Sequence, residues 1–224
     1  MTKPIKAFIF DVYGTLFDVH TVQEKCEEFF PEKGETISQS WRQKQLEYFF
    51  LYQVMGKYRR FPVVTKNALH YAVKKHGEEI TQEQSDALMD AYLHLDHYDE
   101  VEEVLGKLEN YERVVFSNGT PETLTPLLEH AGLTDYIDDV LSVDGIKQFK
   151  PSQDSYLYAL DQLGVKREEV LFMSSNGWDI SGAKNFGFQT AWINRNRLPV
   201  EELNLEPDKI YEDLNGILEW IEDK

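Results

Sequence analysis

The chain of 224 residues carries 23 Lys+Arg against 40 Asp+Glu, a formal net charge of −17. That balance, with no Lys/Arg stripe interleaved by aromatics, excludes phosphate-led nucleic-acid binding and disfavours anionic membrane surfaces. The single cysteine, Cys26, forms no intrachain disulfide, fits a reducing compartment and reads as a small core hydrophobe.

The first element is a buried strand from Ile5 to Phe10, a mostly apolar run interrupted by Lys6 and ended by Asp11. It is too short for the apolar centre of a signal peptide, and no later apolar stretch has the length of a bilayer span, so a cytoplasmic protein is expected. From Thr21 to about Leu95 the pattern is helical throughout, which implies an inserted helical domain. Thr21 with Glu24, and Thr81 with Gln84, have the spacing of capping boxes. Gly56 and Gly77 supply helix stops, and Pro62 is expected to break the chain between the second and third helices. The segment SWRQKQLEYFFLYQVM carries more apolar residues than one buried stripe needs, and core packing and a subunit interface both account for that excess.

Strands follow at Arg113 to Phe116, Val140 to Val143, Val170 to Met173 and Gln189 to Ile193, with helical patterns such as Pro121 to Ala131 and Ser155 to Leu163 between them. Alternation of this kind implies an α/β fold built on a doubly wound parallel sheet. The expected division is a core domain of residues 1–17 and 97–224 and a helical cap of residues 18–96. The acidic clusters Asp99 to Glu103 and Glu222 to Asp223 read as solvated helix faces.

Chemistry-bearing residues collect at strand ends. Asp11-Val12-Tyr13-Gly14-Thr15-Leu16 follows the first strand directly. Ligands of open parallel sheets bind beyond the carboxyl ends of strands, although an aspartate there also serves as an ordinary turn former. Ser117-Asn118-Gly119-Thr120-Pro121 follows the second strand, where Thr120 is placed to cap a helix and the preceding pair to hold an anion. Lys150-Pro151 comes after the third, and Ser174-Ser175-Asn176-Gly177-Trp178-Asp179 closes the fourth. A carboxylate, a hydroxyl–amide pair, a lysine and a second carboxylate at consecutive strand ends together describe a site.

These segments resemble the haloacid dehalogenase superfamily and, within it, the type II L-2-haloacid dehalogenases. The resemblance rests on DVYGTLFD from Asp11, SWRQKQLEY from Ser40, FSNGT from Phe116, KPSQDSYLYAL from Lys150 and SSNGWDISGAKNFGF from Ser174. Phosphatases of the superfamily look like DxDxT at the first motif and hold Mg²⁺ with further acids on the fourth strand. Here Tyr13 replaces the second Asp, and Ser174, Ser175 and Asn176 stand where paired acids belong. Mg²⁺ wants hard oxygen ligands with one or two carboxylates, so no metal and no other cofactor is expected. The superfamily alternative is a magnesium-dependent small-molecule phosphatase.

The resemblance implies hydrolytic dehalogenation of short L-2-haloalkanoates to D-2-hydroxyalkanoates through an ester on Asp11. In that scheme Thr15 orients the Asp11 carboxylate, Lys150 keeps it ionised, and Asp179 activates water with Ser174 and Asn176 holding it in place. Arg42, Asn118 and the ring edge of Trp178 receive the halide, and Ser117 and Lys150 receive the substrate carboxylate. Tyr13, Gln43, Leu46 and Phe61 form the pocket wall, with Tyr156 near Lys150. The partners implied are a small anionic substrate, a halide ion and a second copy of the chain in a homodimer. The six histidines show no metal-ligand spacing. Gly177, where the family often has alanine, and QDSYLY after Ser152 bear on substrate range.

Overall fold

The computed structural model describes residues 4–222, with the side chains of His20, Thr21 and Glu222 and the terminal residues 1–3 and 223–224 outside the description. Six parallel strands form one sheet: β1 (Ala7–Phe10), β2 (Glu112–Ser117), β3 (Asp139–Ser142), β4 (Val170–Ser174), β5 (Gln189–Ile193) and β6 (Lys209–Tyr211). Their order is β3-β2-β1-β4-β5-β6. Every residue of β1 and β4 is buried, as expected of central parallel strands covered on both faces. The short, largely exposed β6 lacks the apolar run that marks the other strands, so its pattern gives no strand signal.

The chain steps leftward from β1 to β3 and then crosses to β4 on the other side of β1. That reversal opens a crevice between the carboxyl ends of β1 and β4, the position where such sheets bind ligands. Phe10 pairs with Met173 in register, so Asp11 and Ser174 emerge side by side at this point.

Between β1 and the next core helix, α5 (Val101–Lys107), lie α1 (His20–Phe29), α2 (Gly34–Val54), α3 (Phe61–Lys75) and α4 (Gln82–Ala91). The two passages joining them to the sheet are tied together. Asp18 N–H donates to the Asp96 carbonyl at 2.9 Å and Tyr98 N–H to the Leu16 carbonyl at 3.0 Å. The capping box at Thr81 and Gln84 is present. Helix α1 starts at His20 with Val19 as its N-cap, so Thr21 sits inside the helix, and its side chain lies outside the described residues. Pro62 does not separate two helices; it occupies the first turn of α3, where its missing N–H costs nothing. Glu100 departs from the solvated-face reading as well. It is largely buried, pairs with Arg195 Nη2 at 2.6 Å and accepts from Leu214 N–H.

The sheet is completed by α6 (Pro121–His130), α7 (Gln153–Leu163), α8 (Gly177–Phe186) and α9 (Glu219–Glu222) as flanking helices. Thr120 is the N-cap of α6 by backbone position, but its side chain makes no capping bond.

Phe8 is fully buried on a central strand and meets Tyr111 edge-on at 5.2 Å, whereas Val140 on the edge strand β3 is 36% exposed. Phe8→Ala is expected to cost about 3–5 kcal/mol through lost burial and a residual cavity. That corresponds to a melting temperature lower by roughly 10 °C, while Val140→Ala shifts it by a small fraction of that. Thermal unfolding followed by circular dichroism checks the contrast.

Candidate active site

Asp11 stands in the crevice, 6% exposed, with its two oxygens in different surroundings. Oδ2 accepts three hydrogen bonds: from Thr15 Oγ1 at 3.1 Å, Ser174 Oγ at 3.1 Å and Asn176 Nδ2 at 3.0 Å. Oδ1 accepts from Lys150 Nζ at 2.9 Å. The turn that brings Thr15 back onto Asp11 needs a left-handed residue at Gly14, φ +85°, where a Cβ would also press on Ser175 Oγ at 2.9 Å. Ser175 N–H in turn donates to Thr15 Oγ1 at 2.8 Å, which fixes the threonine hydroxyl.

Lys150 is 1% exposed and fully committed. Besides Asp11, its ammonium reaches Asp179 Oδ2 at 2.7 Å and the Phe116 carbonyl at 3.1 Å. Asp179, in the first turn of α8, has its other oxygen bonded by Tyr156 OH at 2.7 Å. Gly182 permits this approach, because a Cβ there would meet Pro151 Cβ at 2.5 Å and overlap the Tyr156 hydroxyl.

Burial alone raises the pKa of Asp11, but the charge and hydrogen bond of Lys150 outweigh it and hold the carboxyl below its ordinary value. Burial opposes the charge on Lys150 too, and the two carboxylates more than offset that, so its pKa is raised. For Asp179 burial prevails over Lys150, assisted by the negative charge of Asp11, and its pKa is pushed up to about 6.

A small cavity of about 20 Å³ opens in front of Asp11. Its polar wall is Arg42, Ser117, Asn118, Lys150 and Asn176; its apolar wall is Tyr13, Leu46, Phe49, Phe61 and Trp178. Tyr13 and Phe61 stack at 5.2 Å, and Phe61 stacks on Phe49 at 5.5 Å, so the aromatic wall is continuous from the β1 loop to α2. Arg42 Nη2 donates to Asn176 Oδ1 at 3.3 Å, and the same asparagine donates to Asp11, which links α2 to the carboxylate. Asn118 Oδ1 accepts from Lys150 N–H at 2.9 Å, which turns its NH₂ group away from that backbone.

A family model for haloacid dehalogenase-like hydrolases matches residues 5–187. The chain belongs to this family. An (S)-2-haloacid dehalogenase of Pseudomonas sp. (strain YL) is 41% identical to it over 97% of this chain and 95% of that one. One from Xanthobacter autotrophicus is 47% identical over 85% and 76% of the two chains. Among solved structures, the L-2-haloacid dehalogenase from Xanthobacter autotrophicus with chloropropionic acid covalently bound has a TM-score of 0.91 at 38% identity, covering 97% of this chain and 98% of that one.

Several residues singled out from the sequence take different positions in the family fold. Gln43 is exposed and lines an outer groove with Glu35, Gln39 and Leu46, not the cavity, because it lies one residue past Arg42 and so on another side of α2. The side chains of Ser174 and Asn176 hold Asp11 and make no bond to the Asp179 carboxylate; the Asn176 carbonyl only accepts from Asp179 N–H at 3.0 Å, the start of α8. Tyr156 is fully buried behind Asp179 and does not line the cavity. Phe49 is a wall residue without a motif; its spacing from Arg42 and Leu46, seven and three residues, is the helical signal that groups them. Among the described residues no group of three or more His, Cys, Asp or Glu is arranged to hold a metal ion.

Removing the cation exposes the cost of the two acids. Lys150→Met should destabilise the fold by about 3–5 kcal/mol at neutral pH, the scale for leaving buried charge unpaired. The pH sign follows from each group. Asp11, lowered, contributes stability that persists above its ordinary 3.8, and Lys150, raised, contributes stability that persists below 10.5, so neither changes between pH 5 and 8. Asp179, raised from 3.8 to about 6, binds its proton more tightly folded than unfolded, so its penalty is relieved as pH falls through 6. In the variant the lowering effect of Lys150 is gone and burial acts unopposed by it on both Asp11 and Asp179, so protonation relieves the variant more than the parent, and its deficit in melting temperature should shrink from pH 8 to pH 5 in buffer-matched thermal scans.

Proposed function

We propose that this chain hydrolyses short L-2-haloalkanoates to D-2-hydroxyalkanoates and halide through an ester on Asp11, without a metal. The observation that carries the reading is the unequal pair of Asp11 oxygens: one held by three hydroxyl and amide donors, the other bonded by Lys150 beside the cavity. Membership of the dehalogenase-like family and the covalently bound chloropropionic acid in a similar structure support it.

In the first step Asp11 Oδ1 attacks C2 of the substrate from the side opposite the halogen, forming the C–O bond as the C–halogen bond breaks, with inversion. Lys150 keeps the attacking oxygen ionised. Negative charge grows on the leaving atom, and Arg42, the Asn118 NH₂ and Trp178 are the donors for it. The Trp178 indole N–H is buried with no protein acceptor, as expected of a donor waiting for a ligand. Ser117 takes the substrate carboxylate, with the positive charge of Lys150 behind it, while Tyr13, Leu46 and Phe61 clasp a small alkyl group. In the second step water attacks the ester carbonyl, and the charge arriving on Oδ2 meets Thr15, Ser174 and Asn176 already in place. Asp179, with a pKa near neutrality, accepts the water proton; Tyr156 holds its carboxylate. Collapse of the adduct passes its remaining proton to the departing alkoxide, which releases the hydroxy acid and restores Asp11, and Asp179 gives up its proton to solvent.

We assign residues 18–96 the role of a cap that supplies Arg42, Leu46 and Phe61 to a core of residues 1–17 and 97–224. A magnesium phosphatase is disfavoured by the donor set, since both carboxylates are already bonded to Lys150. No helix among the described residues is long and apolar enough to cross a membrane, which agrees with the cytoplasmic placement we favour.

Multiple turnover of L-2-chloropropionate in ¹⁸O-labelled water decides the covalent step. The ester route labels the Asp11 carboxylate, because water attacks the protein carbonyl and the product takes its oxygen from the side chain. Direct attack of water on the substrate leaves the Asp11 peptide unlabelled in mass analysis. Chelation with EDTA should leave halide release unchanged, and a magnesium-dependent phosphatase rate exceeding it would refute the assignment.

We also propose a homodimer formed through the outer face of α2 and α3, where Leu51, Val54, Met55, Val63 and Tyr71 stand exposed. Light scattering after size exclusion should give twice the chain mass, and Leu51→Glu with Val54→Asp should give the monomer.

A further inference from the structure

Gln45 is an amide with no exposure at all, on a helix whose other buried positions are apolar or glycine. Both ends of it are used. Its Oε1 accepts from Arg42 Nη1 at 2.8 Å, and its Nε2 donates to Thr65 Oγ1 at 2.7 Å. Thr65 is itself fully buried on α3, and its carbonyl accepts from Trp41 Nε1 at 2.8 Å, so the amide is anchored to a fixed point on the neighbouring helix.

Arg42 has two places to go. It lines the cavity in front of Asp11 and also the outer groove that contains Glu35 and Gln39, where a carboxylate and water compete for a guanidinium. Its link to the cavity side is the long 3.3 Å bond to Asn176, whereas the bond to Gln45 is short and buried at the acceptor end. A neutral acceptor also has an advantage over an acidic one. Gln45 orients the guanidinium while leaving its full positive charge available, whereas a buried glutamate at this position would pair with Arg42 and cancel the charge facing the cavity.

We propose that Gln45, anchored by Thr65, is the positioning residue that keeps the Arg42 guanidinium turned into the cavity toward the departing halide. The inference rests on the assignment of Arg42 to the leaving group. Gln45 touches no reacting atom; it acts through Arg42 alone.

Leaving-group dependence separates this role from a general loss of packing. Chloride is a poorer leaving group than bromide and relies more on the donors that receive it. Single-turnover halide release at saturation should fall about tenfold or more for L-2-chloropropionate in Gln45→Met, the scale of a small misplacement in a reacting geometry, and clearly less for L-2-bromopropionate. The half-saturating concentration should stay close to that of the parent. Thr65→Val should show the same chloride-selective loss in weaker form, and Thr65→Ser should restore the parent behaviour. Equal losses on the two substrates, or a change confined to half-saturation, overturn the proposal. Should Gln45→Met fail to fold by circular dichroism, the Thr65 pair decides by the same criterion. Arg42→Ala distinguishes the two levels. Chloride-selective loss in Arg42→Ala without it in the Gln45 and Thr65 variants refutes the positioning role alone, and its absence in Arg42→Ala removes the halide assignment and the inference together.

Discussion

A lysine ammonium buried at 1% exposure between two carboxylates is the constraint on which the rest of the site depends. Taking a charge that far out of water costs several kcal/mol unless every proton finds a partner. Lys150 finds Asp11 after β1, the Phe116 carbonyl of β2 and Asp179 at the start of α8. Those partners come from distant parts of the chain, so the lysine is tolerable only when the strand ends lie level. The sheet positions the site, and the charge cluster in turn penalises any register in which the sheet is misaligned.

The same cluster divides labour between two acids of one type. Lys150 prevails at Asp11, which stays ionised at the cavity, whereas burial prevails at Asp179, which lies deeper and holds its proton up to about pH 6. Different surroundings thus fit the two roles proposed for them, attack by one and proton acceptance by the other. Tyr156 and the missing Cβ of Gly182 matter here, since they set how closely α7 and α8 approach behind Asp179.

The protein is strongly acidic as a whole, yet its cavity is lined by Arg42, Lys150 and two asparagines. Long-range attraction works against an anionic substrate, so recognition falls to donors fixed within the site. One of those donors is carried by α2 and the rest by the sheet. The bridge from Arg42 through Asn176 to Asp11 is therefore a polar link between the helices and the Asp11 carboxylate.

The sequence by itself determined the parallel α/β architecture, the five principal strands and the residues at their carboxyl ends. Continuous apolar runs such as AFIF and VLFMS have one stable use, a strand covered on both faces, and the polar residues that end them have nowhere else to stand. Tertiary structure alone decided the rest. The side chains of Ser174 and Asn176 bond Asp11 and not the Asp179 carboxylate, Gln43 faces an outer groove, Glu100 is an internal clasp for Arg195, and Gln45 is a buried amide aimed at Arg42. Each of these depends on where a second element, far away in the chain, places its atoms. Periodicity tells which residues share a face; it contains nothing about which polar atom on a neighbouring element that face will meet.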